Sequence, residues 1–125
     1  MSVTVNIKGV KEVQQMLERK RREVDQNADV GINKATFFIQ GEVKSSIAGQ
    51  RAEPTSVDTG RFLNSIDVET KGNTGRVFTD VEYAKILEYG GTKRQPRKHF
   101  TNTVFRNKDN VRNIIKDEIK KIETN

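Results

Sequence analysis

The chain lacks cysteine and tryptophan altogether, and it carries only two prolines and a single histidine, His99. Without cysteine there are no disulfides and no thiolate metal sites, which fits synthesis in a reducing cytoplasm. With no second histidine or thiol to complete a zinc-type site, no metal and no cofactor are expected. No run approaches the roughly 20 apolar residues of a membrane span, so no membrane partner is expected. The opening Met1-Ser2-Val3-Thr4-Val5-Asn6-Ile7 alternates apolar and polar residues and does not read as a signal peptide. Apolar residues are themselves scarce: 33% are hydrophobic against 32% charged. The core must be small and dominated by Val and Ile, a composition that suits a chain supported by partner subunits.

What is present fits one domain over residues 1–125. Its 23 Lys and Arg outnumber 17 Asp and Glu, a net charge of +6. That excess raises affinity for phosphates and acidic surfaces and permits a nucleic-acid partner.

Hydrophobic periodicity orders the elements. Val3, Val5 and Ile7 share one face of a short strand. Val10, Val13, Leu17 and Val24 then fall near helical spacing, giving a helix to about Asp25. A second helix, from about Asn27 to Ala48, carries the stripe Ile32, Ala35, Ile39, Val43 and Ile47, widened by Phe38. Gly31 and Gly41 weaken that helix, and are either tolerated or mark the close approach of another backbone, such as a neighbouring subunit's. Residues 49–56 are polar and aperiodic and read as an exposed, flexible loop. Around Gly72-Asn73-Thr74-Gly75, two alternating runs form an antiparallel hairpin: Ile66, Val68 and Thr70 on one arm, Val77 and Thr79 on the other. A short helix with Tyr83, Ile86 and Leu87 stops at Gly90-Gly91, and a basic, flexible loop, 92–98, follows. The last helix runs from about His99 to Ile122, with a kink expected at Asp109 and Asn110. The fold class is therefore α+β: a small antiparallel sheet packed on one side against two long helices, a short helix and a C-terminal helix.

Three short motifs have catalytic look-alikes. Asp58-Thr59-Gly60 spells the triplet of aspartic proteases, but that chemistry needs a closed carboxylate dyad in an all-β fold. Here Glu53-Pro54-Thr55-Ser56 precede the triplet and the cation Arg61 follows it, so a turn and helix cap is the better reading. His99 reads as a surface or cap histidine at a helix start, and no Gly-x-Ser-x-Gly elbow accompanies it. Gly90-Gly91-Thr92-Lys93 lacks the spacing of a phosphate loop. Lys93, Arg94, Arg97 and Lys98 form a dense cationic cluster, either a solvated loop or a contact for a partner protein or DNA backbone. With no aromatic inside it, base stacking is not expected, and any DNA contact would be non-specific and salt-sensitive.

The segment Val57-Asp58-Thr59-Gly60-Arg61-Phe62-Leu63-Asn64-Ser65-Ile66 resembles the V-D-T-G-x-L-x-x-S-I signature of minor tail components of long-tailed bacteriophages. That signature is followed by a hairpin and a Y-A-x-x-x-E-[FY]-G-T segment, which Tyr83-Ala84-Lys85-Ile86-Leu87-Glu88-Tyr89-Gly90-Gly91-Thr92 resembles with one extra glycine. Arg97-Lys98-His99-Phe100 is similar to the family's R-P-F element without its proline. The resemblance implies a non-enzymatic virion protein, a head–tail joining or tail completion factor forming a ring of identical copies beside other neck or tail proteins. It implies scaffold roles for Asp58, Thr59, Gly60, Tyr83, Glu88, Tyr89 and Gly90. Tyr83, Leu87 and Tyr89 would pin the short helix to the sheet. Arg61, Lys93, Arg94, Arg97 and Lys98 would meet partners or DNA backbone. The alternative function is a basic nucleic-acid-binding protein.

Overall fold

A computed structural model describes residues 3–8, 21–57 and 60–121 of the chain. In order these form β1 (Val3–Lys8), α1 (Arg21–Ile47), α2 (Arg61–Asn64), β2 (Asp67–Lys71), β3 (Thr74–Thr79), α3 (Ala84–Tyr89), α4 (His99–Arg106) and α5 (Lys108–Lys120). The α+β class holds, with one three-stranded antiparallel sheet in the order β1-β3-β2. Residues 10–20 of the helix expected from Val10 to about Asp25, the pair Asp58 and Thr59, Ile122, and the side chains of Ile7 and Val24 lie outside the described residues.

Alternation decides the sheet's faces. In β3, Gly75, Val77 and Thr79 are buried while Thr74, Arg76 and Phe78 are half-buried. Val77 lies opposite both Val5 and Val68, so the three strands turn the same parity toward the core. On the other face the Arg76 guanidinium sits 4.2 Å above the Phe78 ring and 3.8 Å from Glu69.

Helix α1 is the spine. Ile32, Ala35, Ile39, Val43 and Ile47 are all fully buried, at the three- and four-residue spacing that puts them on one stripe. Burying side chains of this size contributes about 1.5–3 kcal/mol each for Ile and Val. Phe38 packs beside the stripe and Phe37 points outward. The break expected between Asp25 and Asn27 is absent, because no proline or glycine there interrupts the backbone ladder and α1 runs through. Gly31 does mark a close approach, but to the chain's own α5: a Cβ at this position would lie 3.0 Å from the Ile115 Cα. The Gly41 side is open, with nothing within 4 Å.

Ile115 and Ile119 of α5 close the core over α1, and Asn27 Nδ2 donates to the Glu118 carbonyl at 2.7 Å. Glu118 also bonds Lys34 across the two helices and Lys121 on its own, at 2.9 Å for the latter. The C-terminal helix is two helices rather than one. The interruption falls at Asn107 (φ −110°, ψ 16°), not at Asp109 and Asn110. Asn107 is buried, donates its side-chain amide to the Thr103 carbonyl at 2.9 Å and accepts from Asn110 Nδ2 at 2.9 Å. An asparagine amide that competes with the helix ladder in this way ends one helix and begins the next.

Candidate functional site

The two sequence motifs meet in space. Gly60, at φ 83°, turns the chain into α2, whose Phe62 is buried edge-on against Tyr83, with ring centroids 5.9 Å apart. Arg61, from the first motif, makes a two-pronged ion pair with Glu82 at 2.9 and 2.8 Å and lies 5.8 Å from the Tyr83 ring. Ser65 Oγ bonds Thr79 Oγ1 at 2.6 Å, and Gln40 Nε2 of α1 donates to the Ile66 carbonyl at 2.9 Å. The corner is thereby tied to β3 and to α1.

In α3, Ala84, Leu87 and Glu88 face inward. Tyr83 is half-buried, but Tyr89 is 61% exposed and does not pin the helix. The residue that does is Glu88. Its buried carboxylate accepts the Phe100 N–H at 2.9 Å, the Thr101 N–H at 2.8 Å and the Thr101 hydroxyl at 2.6 Å. A helix start leaves its first N–H groups without intrahelical partners, and a carboxylate there satisfies both hydrogen bonding and the helix dipole. Glu88 thus caps α4 from a neighbouring helix. Lys98, just before α4, takes the left-handed conformation at φ 54°, the one positive φ among the described non-glycine residues.

His99 is fully buried rather than at the surface. Its Nδ1 lies 2.8 Å from Ser46 Oγ and its Nε2 2.7 Å from Ser56 Oγ. Ser46 donates to Glu53 at 2.6 Å, so it can only accept from His99, which places the ring proton on Nδ1 and leaves Nε2 to accept from Ser56. Arg97 Nη1 in turn donates to Ser56 Oγ at 2.9 Å and to the Thr55 carbonyl. One directional chain therefore runs Arg97, Ser56, His99, Ser46, Glu53. Burial pushes the imidazole pKa down, against the nearby Glu88 and Glu53 carboxylates, which favours the neutral ring this chain requires. The carboxylate does not touch the imidazole, and an Arg97 N–H is directed at Ser56 Oγ; the chain reads as a brace rather than a nucleophile relay.

Glu53 anchors the far end. The loop 49–56 is not exposed throughout, since Glu53 is only 6% accessible. It pairs with Arg106 at 3.0 and 3.1 Å and accepts from Asn102 at 3.2 Å. Burial pushes the Glu53 carboxyl up, but hydrogen bonds from Arg106, Ser46 and Asn102 outweigh it and hold its pKa at about 2 against an ordinary 4.5. A carboxyl more acidic in the folded chain than in the unfolded one stabilises fully above the unfolded pKa, and the gain is lost as pH falls through the folded value. The difference corresponds to about 3 kcal/mol. Glu53→Gln is expected to lose about that much at pH 7 and progressively less between pH 4.5 and 2, read by denaturant unfolding. An equal loss at every pH would show that packing, not ionisation, holds the loop.

Of the sequence-predicted contact residues, Arg61 is paired with Glu82 and Arg97 is bound into the brace. Lys93, Arg94 and Lys98 are exposed and form no ion pair among the described residues. Gly91 and Arg94 exchange backbone hydrogen bonds at 3.1 and 3.3 Å, and the Arg97 N–H bonds the Leu87 carbonyl at 2.7 Å, fixing the basic loop against α3. Between this loop, α3 and residues 55–57 opens a pocket of about 920 Å³ whose walls include Ser56, Arg61, Tyr83, Ile86, Arg94 and Arg97. Ser46, Glu53, Ser56, Asn102 and Arg106 were invisible to sequence reasoning. They come from three separate stretches, α1, the loop 49–56 and α4, and no local pattern marks them.

Among the described residues no cluster of His, Asp or Glu could hold a metal ion, and no helix is long and apolar enough to cross a membrane. A family model described as "Bacteriophage HK97-gp10, putative tail-component" matches residues 11–90, which is well over half of the chain and includes the first motif and the second as far as Gly90. Comparison with curated proteins and with solved structures found no match.

Proposed function

From the premise that the chain belongs to the HK97-gp10-like family of bacteriophage tail components, we propose that it acts at the head–tail joint or in tail completion, as one copy in a ring. Membership of that family makes it a structural part of the virion that works beside other tail proteins. The observation that supports the finer reading is the corner itself. Two motifs far apart in sequence are locked by Phe62 on Tyr83 and by Arg61 on Glu82. That arrangement gives loops 49–56 and 92–98 a rigid base from which to meet neighbours. A closed ring needs head-to-tail contacts, in which one surface of each copy meets a different surface of the next. The outward Phe37 and Phe105, 57% and 73% exposed, supply apolar area for such contacts.

The test is deletion of the gene in a phage that carries it. Electron micrographs should show filled heads and tails that remain separate, restored by supplying the protein in trans. Normal infectious particles would reject the reading. A second role, non-specific contact with DNA passing the joint, is favoured by Lys93 and Lys98, which are exposed and have no ion-pair partner among the described residues. Such contact would fade steeply between low and physiological salt.

A further inference from the structure

We propose that the pocket between α3, the basic loop and residues 55–57 is a docking site for an acidic, partly apolar peptide segment of another tail protein. One carboxylate would sit between Arg94 and Arg97, and an apolar side chain would lie against Tyr83 and Ile86. That the segment comes from a tail protein rests on the function proposed above; the pocket's choice of an acidic peptide does not.

The lining carries three guanidinium groups, those of Arg61, Arg94 and Arg97, and no acidic side chain among the described residues. Arg61 is already engaged by Glu82, so the work falls to the other two. Among the described residues Arg97 bonds only through Nη1, to Thr55 and Ser56. Those bonds hold its plane still, and Nε and Nη2, the edge that a carboxylate accepts from in two-pronged fashion, have no partner among the described residues. Arg94 has no ion pair among the described residues, and its backbone is fixed by the bridge to Gly91. A guanidinium held in place before the partner arrives, as that of Arg97 is, loses little side-chain freedom on binding.

The rest of the wall decides against other occupants. Ile86 and Val57 of the lining are 49% and 44% exposed. An apolar rim of this kind gains nothing from a phosphodiester backbone but buries well against Leu or Phe side chains. A volume of about 920 Å³ is of the size that holds a few side chains and not a duplex. A second copy of this chain, at net +6, brings its own excess of positive charge toward the pocket, whereas an acidic partner relieves it.

The probe is a short fluorescent peptide with an Asp-Leu-Asp-Phe block between Gly-Ser flanks, titrated against the full chain by anisotropy. Saturable binding is expected. Arg94→Glu should weaken it by about tenfold or more, and Ile86→Ser by about threefold. A peptide with Asn in place of both Asp should not bind. Lys108→Glu, the same change of charge outside the pocket lining, should leave binding intact. No binding, an equal loss with Lys108→Glu, or a short DNA duplex that binds through Arg94 and is indifferent to Ile86→Ser would overturn the proposal. So would self-association of the chain that Arg94→Glu abolishes. Loss of the pocket assignment with separate heads and tails still seen on gene deletion would leave the joint reading standing. Peptide binding with joined particles on deletion would do the reverse.

Discussion

Replacing Glu88 with alanine is expected to destabilise the protein by about 3 kcal/mol, because a buried backbone N–H, a part-buried one and a hydroxyl lose their shared acceptor at once. The Phe100 and Thr101 amides are at the first turn of α4, where no carbonyl of the helix can replace the lost partner. Phe100 is itself 1% exposed, so water cannot reach its amide without opening the core. Glu88→Gln keeps the shape and one oxygen, and should cost about half as much. Equilibrium denaturation of the two variants checks both numbers. If alanine and glutamine cost the same, or alanine costs less than about 1 kcal/mol, the carboxylate is not the cap. The effect should extend past stability. Glu88 fastens α3 to the start of α4, and the Arg97 N–H bonds the Leu87 carbonyl one residue earlier, so the basic wall of the pocket hangs from the same junction.

The second large effect is expected at Gly75. A Cβ at this position would lie 1.8 Å from Thr36 Oγ1 and 3.0 Å from Thr36 Cβ, on the face where β3 crosses α1. Thr36 is fully buried and donates to the Ile32 carbonyl at 2.7 Å, so it cannot swing away without breaking that bond and entering packed space. Gly75→Ala should therefore cost about 3 kcal/mol as an overpacked core site. Removing the hydroxyl with Thr36→Ala in the same chain should restore part of the loss, because the 1.8 Å clash goes and the 3.0 Å contact stays. A double-mutant cycle over the two sites measures that coupling, with about 1 kcal/mol or more expected. Additive costs would mean that strand and helix do not approach this closely.

Both sites show where local pattern stops. Gly75 reads as turn chemistry in Gly72-Asn73-Thr74-Gly75, but it lies within β3 opposite Thr70, and its tight constraint comes from Thr36, 39 positions earlier. Glu88 appears in sequence as one letter of a family motif; its partners are 12 and 13 residues further on. His99 looked like a surface histidine because helix starts are usually exposed. Ser46 and Ser56 enclose it from two stretches that no periodicity links to α4. The protease triplet had the opposite fault, a local match with no fold to serve it. A three-stranded sheet with five described helices is not the all-β frame that a carboxylate dyad needs.

What the residues alone determined was everything that depends on neighbours a few positions apart. The buried stripe of α1, the alternation along β3 and the stop at Gly90 follow from helical and strand periods and from glycine's backbone freedom, and each is where the sequence puts it. The two ordered motifs likewise gave the tail-component family, which the match over residues 11–90 shows. Only the tertiary structure decided which polar groups are buried together: Glu88 on the start of α4, Glu53 on Arg106, and His99 between two serines. Hydrogen bonds and ion pairs act over about 3 Å between atoms that the chain brings together from any distance along its length. Their partners are therefore set by how the layers pack, which no short stretch of sequence encodes.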